Sequence, residues 1–314
     1  MFIYIKNKAF CLKIKQNLTI LYMKFNLIKT IMLSVFKWSG SKRSQVEDII
    51  KHMPDNIENF YEPFVGSGIV TLTLLKEYSS KLSKNCNIYC SDINNDIITL
   101  WNIVKNNPDE LYNKYEEYWY EFNAKINEDD ETCKQHRKKT YYDIRDKYNE
   151  TKDPYMFFFL MRTCINGLIR FNNNTGNFNS SCAYARPGMH PDKIKEIITD
   201  INSLLVKYNV QFYSKSYDEV LNEAPENSVI YIDPPYYESF GMYYGEFDFN
   251  EFNTNINKYA DKYRKVIISF DNKPVDEIDF SLYNRHKIYS GKSGFKKLHK
   301  EDTEVFESLY VSKK

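Results

Sequence analysis

The stretch "NFYEPFVGSGIVTLTLLKEY" (Asn59–Tyr78) decides how the fold is read. Its opening residues are aromatic and apolar, as in a buried strand. Gly66 and Gly68 then fall two apart, and a leucine-rich run of helical character follows. A glycine pair after a strand lets the chain turn tightly and approach a ligand at the amino end of a helix. Alone, the pair fits an ordinary strand-to-helix turn equally well. The next unit repeats the grammar: "NIYCSDINNDIITLWNIVKNN" (Asn87–Asn107) reads strand, acidic turn, helix. Two such units predict a parallel sheet with helical crossovers.

Asp92 closes the second strand about two dozen residues beyond the glycines. An α/β fold of this kind places an acid there, against ribose hydroxyls. A lone Asp at that point would be a helix cap; combined with the glycines it points to an adenosine-containing ligand. The chain holds only ten glycines, which adds weight to two of them falling together. Ile69, Val70 and Thr71 follow Gly68, so this is not the dinucleotide pattern, and the turn carries Glu62 with no basic residue for a pyrophosphate. A cationic ligand without phosphate suits an acidic turn, and S-adenosylmethionine, with its sulfonium, fits.

Outward from this core, strand–helix grammar continues to about residue 105, lapses, and resumes near 210. Between lie amphipathic, aromatic-rich helices such as "LYNKYEEYWYEFNAKI", a buried one in "PYMFFFLMRTCI", and a loop-like stretch over 166–192. The organisation expected is one α/β domain, 32–105 and 210–314, interrupted by a mostly helical insert over 106–209. The charge balance of +1 neither requires nor excludes nucleic acid. Six scattered cysteines fit reduced thiols rather than staples, His52, His136 and His190 form no metal constellation, and no apolar run approaches membrane-spanning length. Lysines interrupt any signal-peptide core near the start. The expectation is therefore a protein inside the cell, without metal or membrane.

A second feature is "SVIYIDPPYYE" (Ser228–Glu238). Two prolines have no N–H for a sheet ladder, so the strand stops with Asp233 at its carboxyl end. Three segments then stand in an order that resembles the Dam-like (D12 class) DNA adenine-N6 methyltransferases: "FKWSGSK" (Phe36–Lys42), "EPFVGSG" with "SDINNDIITLWNIVK", and "YIDPPYY". "DPYMFFFLMRTCINGLIRFNNNTGNFN" (Asp153–Asn179) is similar to that family's target-recognition segment, and "HKEDTEVFESLY" to its closing segment. The resemblance runs from about residue 32 to 312.

The resemblance implies a Rossmann-like S-adenosylmethionine-dependent methyltransferase sheet with the helical insert reading double-stranded DNA. It implies Asp233, Pro234, Pro235 and Tyr236 as the catalytic set, with Tyr236 stacking on the extruded base. Trp38, Lys42, Phe64, Gly66, Gly68, Asp92 and Asp233 become the cofactor set, Lys42 lying at the boundary with DNA. Lys37, Asn166, Leu168 and Arg170 become DNA contacts. Arg170 suits a guanine edge in the major groove and Leu168 a thymine methyl; family members with this Leu-x-Arg spacing act at GATC. Two departures stand against that transfer: Ile165 replaces an aromatic common before Asn166, and "SSCAYARPGMHPD" differs from the better-known bacterial members. The lysines of the tail (287, 292, 296, 297, 300) are candidates for phosphate contacts or a solvated face. Family members begin a few residues before the K-W-x-G-x-K motif, so 1–31 is expected to be an extension without catalytic role. A monomer is expected, acting at the nucleoid or a viral replication site, with a restriction endonuclease as a candidate partner. Asp/Asn-Pro-Pro-Tyr turns also serve cytosine N4, RNA adenine and protein glutamine, with Asp rather than Ser or Asn leaning toward adenine, and an idle DNA-binding relative is a further alternative.

Overall fold

The computed structural model describes residues 34–38, 40–172, 174–235, 247–270, 279–292 and 304–314. Tyr236, the tail-loop lysines 296, 297 and 300, and the extension 1–31 lie outside the described residues.

Seven strands are described: β1 (Ile57–Glu62), β2 (Leu82–Asp92), β3 (Gln211–Ser214), β4 (Ser228–Ile232), β5 (Lys265–Phe270), β6 (Tyr283–Lys292) and β7 (Glu304–Ser312). They form one sheet in the order β3-β2-β1-β4-β5-β7-β6. The pairs from β3 to β5 are parallel, and β7 runs antiparallel to β5 and β6. All five residues of β4 are buried, as in a parallel strand covered on both faces. Its neighbour β1 pairs Phe60 with Val229 and Tyr61 with Ile230. Strand order reverses between β1 and β4, and such a reversal opens a crevice at the strands' carboxyl ends. Glu62 and Asp233 stand at those ends.

The helices follow from caps and apolar stripes. α1 (Val46–Lys51) precedes β1, and α2 (Ile69–Glu77) leaves the glycine turn. α3 (Asn95–Asn106) starts where the Asn94 side chain accepts from the Asp96 and Ile97 amides. α4 (Pro108–Phe122), α5 (Asp130–Thr151) and α6 (Pro154–Thr163) follow. In α6, Asp153 caps, Pro154 opens the first turn, and every residue from Met156 to Thr163 is buried, so this helix is apolar all round because it is a core helix. Phe158 meets Phe36 edge-on and Tyr115 of α4, while Phe157 stacks on Tyr148 of α5. α7 (Pro191–Lys207), α8 (Tyr217–Glu223) and α9 (Phe249–Lys262) complete the set. No helix among the described residues is long and apolar enough to cross a membrane.

Among its described residues, the segment 106–209 contributes no strand to the sheet. Its last helix, α7, packs against both α4 and α3. The Asn202 amide donates to the Val104 and Lys105 carbonyls at 3.0 and 2.8 Å. The stretch 166–192, read above as loop, holds more order than that reading. Cys164 pairs with Cys182 and Phe171 with Phe178 as two isolated antiparallel bridges. The rungs run from Ile165 N to Ser181 O, Ala183 N to Thr163 O and Asn179 N to Arg170 O, each 2.9 Å. Asn, Ser and Gly dominate this hairpin, so main-chain pairing holds it with little apolar alternation to betray it.

Candidate active site

The glycine turn is shaped by two tryptophans. Gly66 and Gly68 take φ of 40° and 63°, in the left-handed region where a side chain is strained. A Cβ on Gly66 would lie 2.8 Å from Trp38 Cδ1, and one on Gly68 2.6 Å from Trp101 Cζ2. Trp101 Nε1 donates to Gly66 O at 3.0 Å, and Gly66 N donates to Asp92 Oδ2 at 3.1 Å. Asp92 Oδ1 accepts from Asn94 N at 3.0 Å. Ser34 Oγ holds Ser67 O at 2.8 Å from the other side. The turn is thus fixed by groups from three segments. Trp101 went unremarked in the sequence, hidden within the apolar stripe of α3.

Among the acidic residues that line one cavity of about 490 Å³, walled by Trp38, Phe64 and Tyr217 among others, are Glu62, Asp92 and Asp233. Burial pushes Asp92 up to about 6. Burial also pushes Glu62 up to about 8, with the charges of Asp233 and Asp92 adding to it against the Thr71 hydrogen bonds. Glu62 accepts from Thr71 N at 3.1 Å and from Thr71 Oγ1. At neutral pH Glu62 therefore largely keeps its proton. The acidity inferred from Glu62 in the sequence passes to Asp92 and Asp233.

Asp233 follows β4 directly. Burial lifts it to about 6, while the Lys42 ammonium opposes that shift. Lys42, itself buried, stands 2.7 Å from each carboxylate oxygen. Only Oδ2 receives a well-directed hydrogen bond, and Oδ1 has none. Lys42 Nζ also donates to Gly40 O at 3.1 Å. This pairing joins positions 191 residues apart, which no local pattern reveals. Pro234 and Pro235 line the same cavity. Among the described residues no cluster of His, Cys, Asp and Glu is arranged to hold a metal.

The residues expected at DNA gather at the hairpin. Asn166 and Gly167 take left-handed φ of 55° and 68°. A Cβ on Gly167 would meet Lys37 Cβ at 2.7 Å, so Lys37 packs on this turn. Its ammonium is directed inward, donating to Arg162 O at 3.0 Å. Asn166 and Arg170 are exposed, Leu168 is half-buried, and Ile169 between the last two is buried. Leu168 and Arg170 thus share one side of the ladder while Ile169 anchors the other.

The cavity suits S-adenosylmethionine. Asp233 pairs with the buried Lys42 ammonium, while further acids of the lining, Asp92 among them, leave a surplus of negative charge for a sulfonium, and Phe64 stacked on Tyr217 (ring centroids 5.6 Å apart) offers an aromatic wall.

The chain matches the family model for D12 class N6 adenine-specific DNA methyltransferases over residues 38–313. It is 31% identical over 233 residues to the type II methyltransferase M.MjaIII of Methanocaldococcus jannaschii, covering 68% of this chain and 74% of that one. It is 32% identical over 205 residues to the DNA adenine methylase of Salmonella typhi, covering 64% and 63% respectively, so the match spans just under two thirds of that methylase. Among solved structures, an rRNA methyltransferase from Streptomyces viridochromogenes aligns over 87% of this chain and 84% of its own, at 14% identity and a TM-score of 0.36.

Proposed function

The chain belongs to the D12 class of N6 adenine-specific DNA methyltransferases, and we propose that it methylates N6 of an adenine flipped out of duplex DNA, with Asp233 and the Pro234 carbonyl as the two acceptors. S-adenosylmethionine supplies an electrophilic methyl group when bound. Trp38, Phe64, the Gly66–Gly68 turn and Asp92 are the residues to hold it.

Adenine N6 is a poor nucleophile because its lone pair is delocalised into the ring. An acceptor on each N–H draws the amino group toward tetrahedral geometry. Positive charge grows on N6 as the bond to methyl forms, so both acceptors bind the transition state more strongly than the ground state. The observation that carries this reading is Asp233 Oδ1. It is buried at the cavity and receives no well-directed hydrogen bond, although the Lys42 ammonium that holds the other oxygen also stands 2.7 Å from it. Lys42 keeps the carboxylate ionised and aimed, and the proton on N6 leaves after transfer. Extruding the base costs a few kcal/mol, which a stacked aromatic at position 236 offsets in part.

Site choice is assigned to the hairpin. Arg170 donates to a guanine edge, Leu168 contacts a thymine methyl, Asn166 and Lys37 support them, and the preferred site is GATC. In this reading 106–209 is the target-recognition part, 32–105 and 210–314 together form the catalytic part, and 1–31 carries no catalytic role. The protein works as a monomer on DNA inside the cell, at the nucleoid or a viral replication site, and a cognate restriction endonuclease is the partner to look for.

The test is methyl transfer to DNA from a host lacking adenine methylation, followed by sequencing of the modified positions. The expected result is methylated adenine confined to GATC. Methyl groups at a different adenine site would overturn the GATC assignment, and none on DNA would overturn the reaction.

A further inference from the structure

The hairpin holds a side chain that touches neither of its reading residues' functional groups yet fixes the backbone of both. Ser180 is buried. Its Oγ donates to Leu168 O at 2.6 Å and accepts from Arg170 N at 2.9 Å. The regular ladder supplies neither bond. Asn179 N reaches Arg170 O, but the two groups that Ser180 takes would otherwise have no strand partner at this irregular rung. Ser180 is in turn held from outside the hairpin, where the Tyr141 hydroxyl of α5 donates to Ser180 O at 3.0 Å. Tyr141 is fully buried, so the attachment point is rigid.

We infer that Ser180 is a positioning residue for sequence recognition, fixing the directions in which Leu168 and Arg170 leave the hairpin, with Tyr141 fixing Ser180. The inference rests on the reading that Leu168 and Arg170 contact bases. The physical reason is the geometry of bidentate recognition. A guanidinium discriminates a guanine edge only when its two N–H groups arrive in plane and in register. A main-chain rotation at Leu168–Arg170 swings a long side chain by more than that tolerance. One hydroxyl bonded on either side of Ile169 removes the rotation, since both the carbonyl before it and the amide after it are held to the same oxygen. Loss of the hydroxyl leaves one donor and one acceptor unmatched and lets water compete for them.

The experiment uses the full chain on a random-sequence duplex library, with the spectrum of methylated sites read by sequencing. Ser180→Ala is compared with Arg170→Ala, and with the near-isosteric pair Ser180→Thr and Ser180→Val. Thr keeps the hydroxyl and Val does not, so a purely steric role moves both alike. Tyr141→Phe removes only the bond to Ser180 O and serves if Ser180→Ala folds poorly. The expected result is that Ser180→Ala and Ser180→Val lower the preference for the cognate site roughly fivefold, at the positions that Arg170→Ala relaxes. Ser180→Thr restores the preference, and Tyr141→Phe gives a smaller loss in the same direction. If Arg170→Ala relaxes site choice while Ser180→Ala, Ser180→Val and Tyr141→Phe do not, the clamp is wrong and the recognition reading stands. If Arg170→Ala leaves the spectrum unchanged, the recognition reading fails and takes the clamp with it.

Discussion

The cavity and the hairpin are built on opposite plans. At the cavity, buried side chains are fixed by partners far away in sequence: Lys42 on Asp233, Asp92 on Gly66, Trp101 beneath Gly68. At the hairpin the main chain is what is fixed. Ladder rungs, Ser180 and Asn149 hold it, the last pairing with both N and O of Phe178 at 2.8 and 3.0 Å, while Arg170 is left outside. The difference matches the role proposed for each. Assisting a transfer at N6 needs ionised and dipolar groups already out of water, where they act strongly and need no reorganisation. Reading a base edge needs a donor that stays exposed until DNA arrives, on a rail that does not rotate.

The sharpest way to break this comparison is at Asp233. Asp233→Ala should lower turnover by about a thousandfold or more while DNA affinity, measured by titration of labelled duplex, stays near that of the parent. It should also cost about 3 kcal/mol of stability, because it removes one partner of a buried ion pair; a melting experiment reads that loss. At the other region, Arg170→Ala should weaken discrimination at one base pair by about 1–3 kcal/mol with little effect on melting, since its side chain is exposed. If the two variants exchanged these phenotypes, the division of labour would be wrong. Gly68→Ala comes next. It puts a methyl group against Trp101 at positive φ, so stability should fall by about 1–3 kcal/mol and calorimetry should show weaker S-adenosylmethionine binding.

The smallest effect expected is that of pH on cofactor affinity. Asp92 and Asp233 are raised by burial to about 6. The folded state therefore binds protons that the unfolded state has released, and the ligand-free protein should lose stability as pH rises from about 4 through about 6. The ionised carboxylates are also the forms that attract a sulfonium and accept from ribose. Cofactor affinity should then move the opposite way, rising about twofold between pH 6 and 7 as a group of pKa near 6 completes its ionisation. Affinity that falls with pH over this range would place the cofactor away from these acids.

Much of the cavity is legible in the sequence because it is built from local events. A strand that ends in Asp-Pro-Pro and a strand that ends in a glycine turn both carry their geometry in adjacent residues. What joins them is not local. Neither the Lys42–Asp233 pair nor the contact of Trp101 with Gly68 leaves any periodic trace. The charge of Glu62 is not local either, since burial that only the folded chain provides raises its carboxyl to about 8. The hairpin was harder still. Its order comes from main-chain bonds among Asn, Ser and Gly, residues that advertise loops, so the stretch 166–192 reads as irregular. The resemblance makes Lys37 a DNA contact, whereas in the fold its ammonium donates inward to Arg162 O in the last turn of α6.

The central claim is that the Asp233 carboxylate and the Pro234 carbonyl act on one adenine amino group. The most direct measurement is nucleoside analysis by mass spectrometry of unmethylated duplex DNA after incubation with S-adenosylmethionine and either the parent protein or Asp233→Ala. The account predicts N6-methyladenine with the parent and none above background with the variant. N4-methylcytosine from the parent, or N6-methyladenine from both proteins at similar rates, would contradict it.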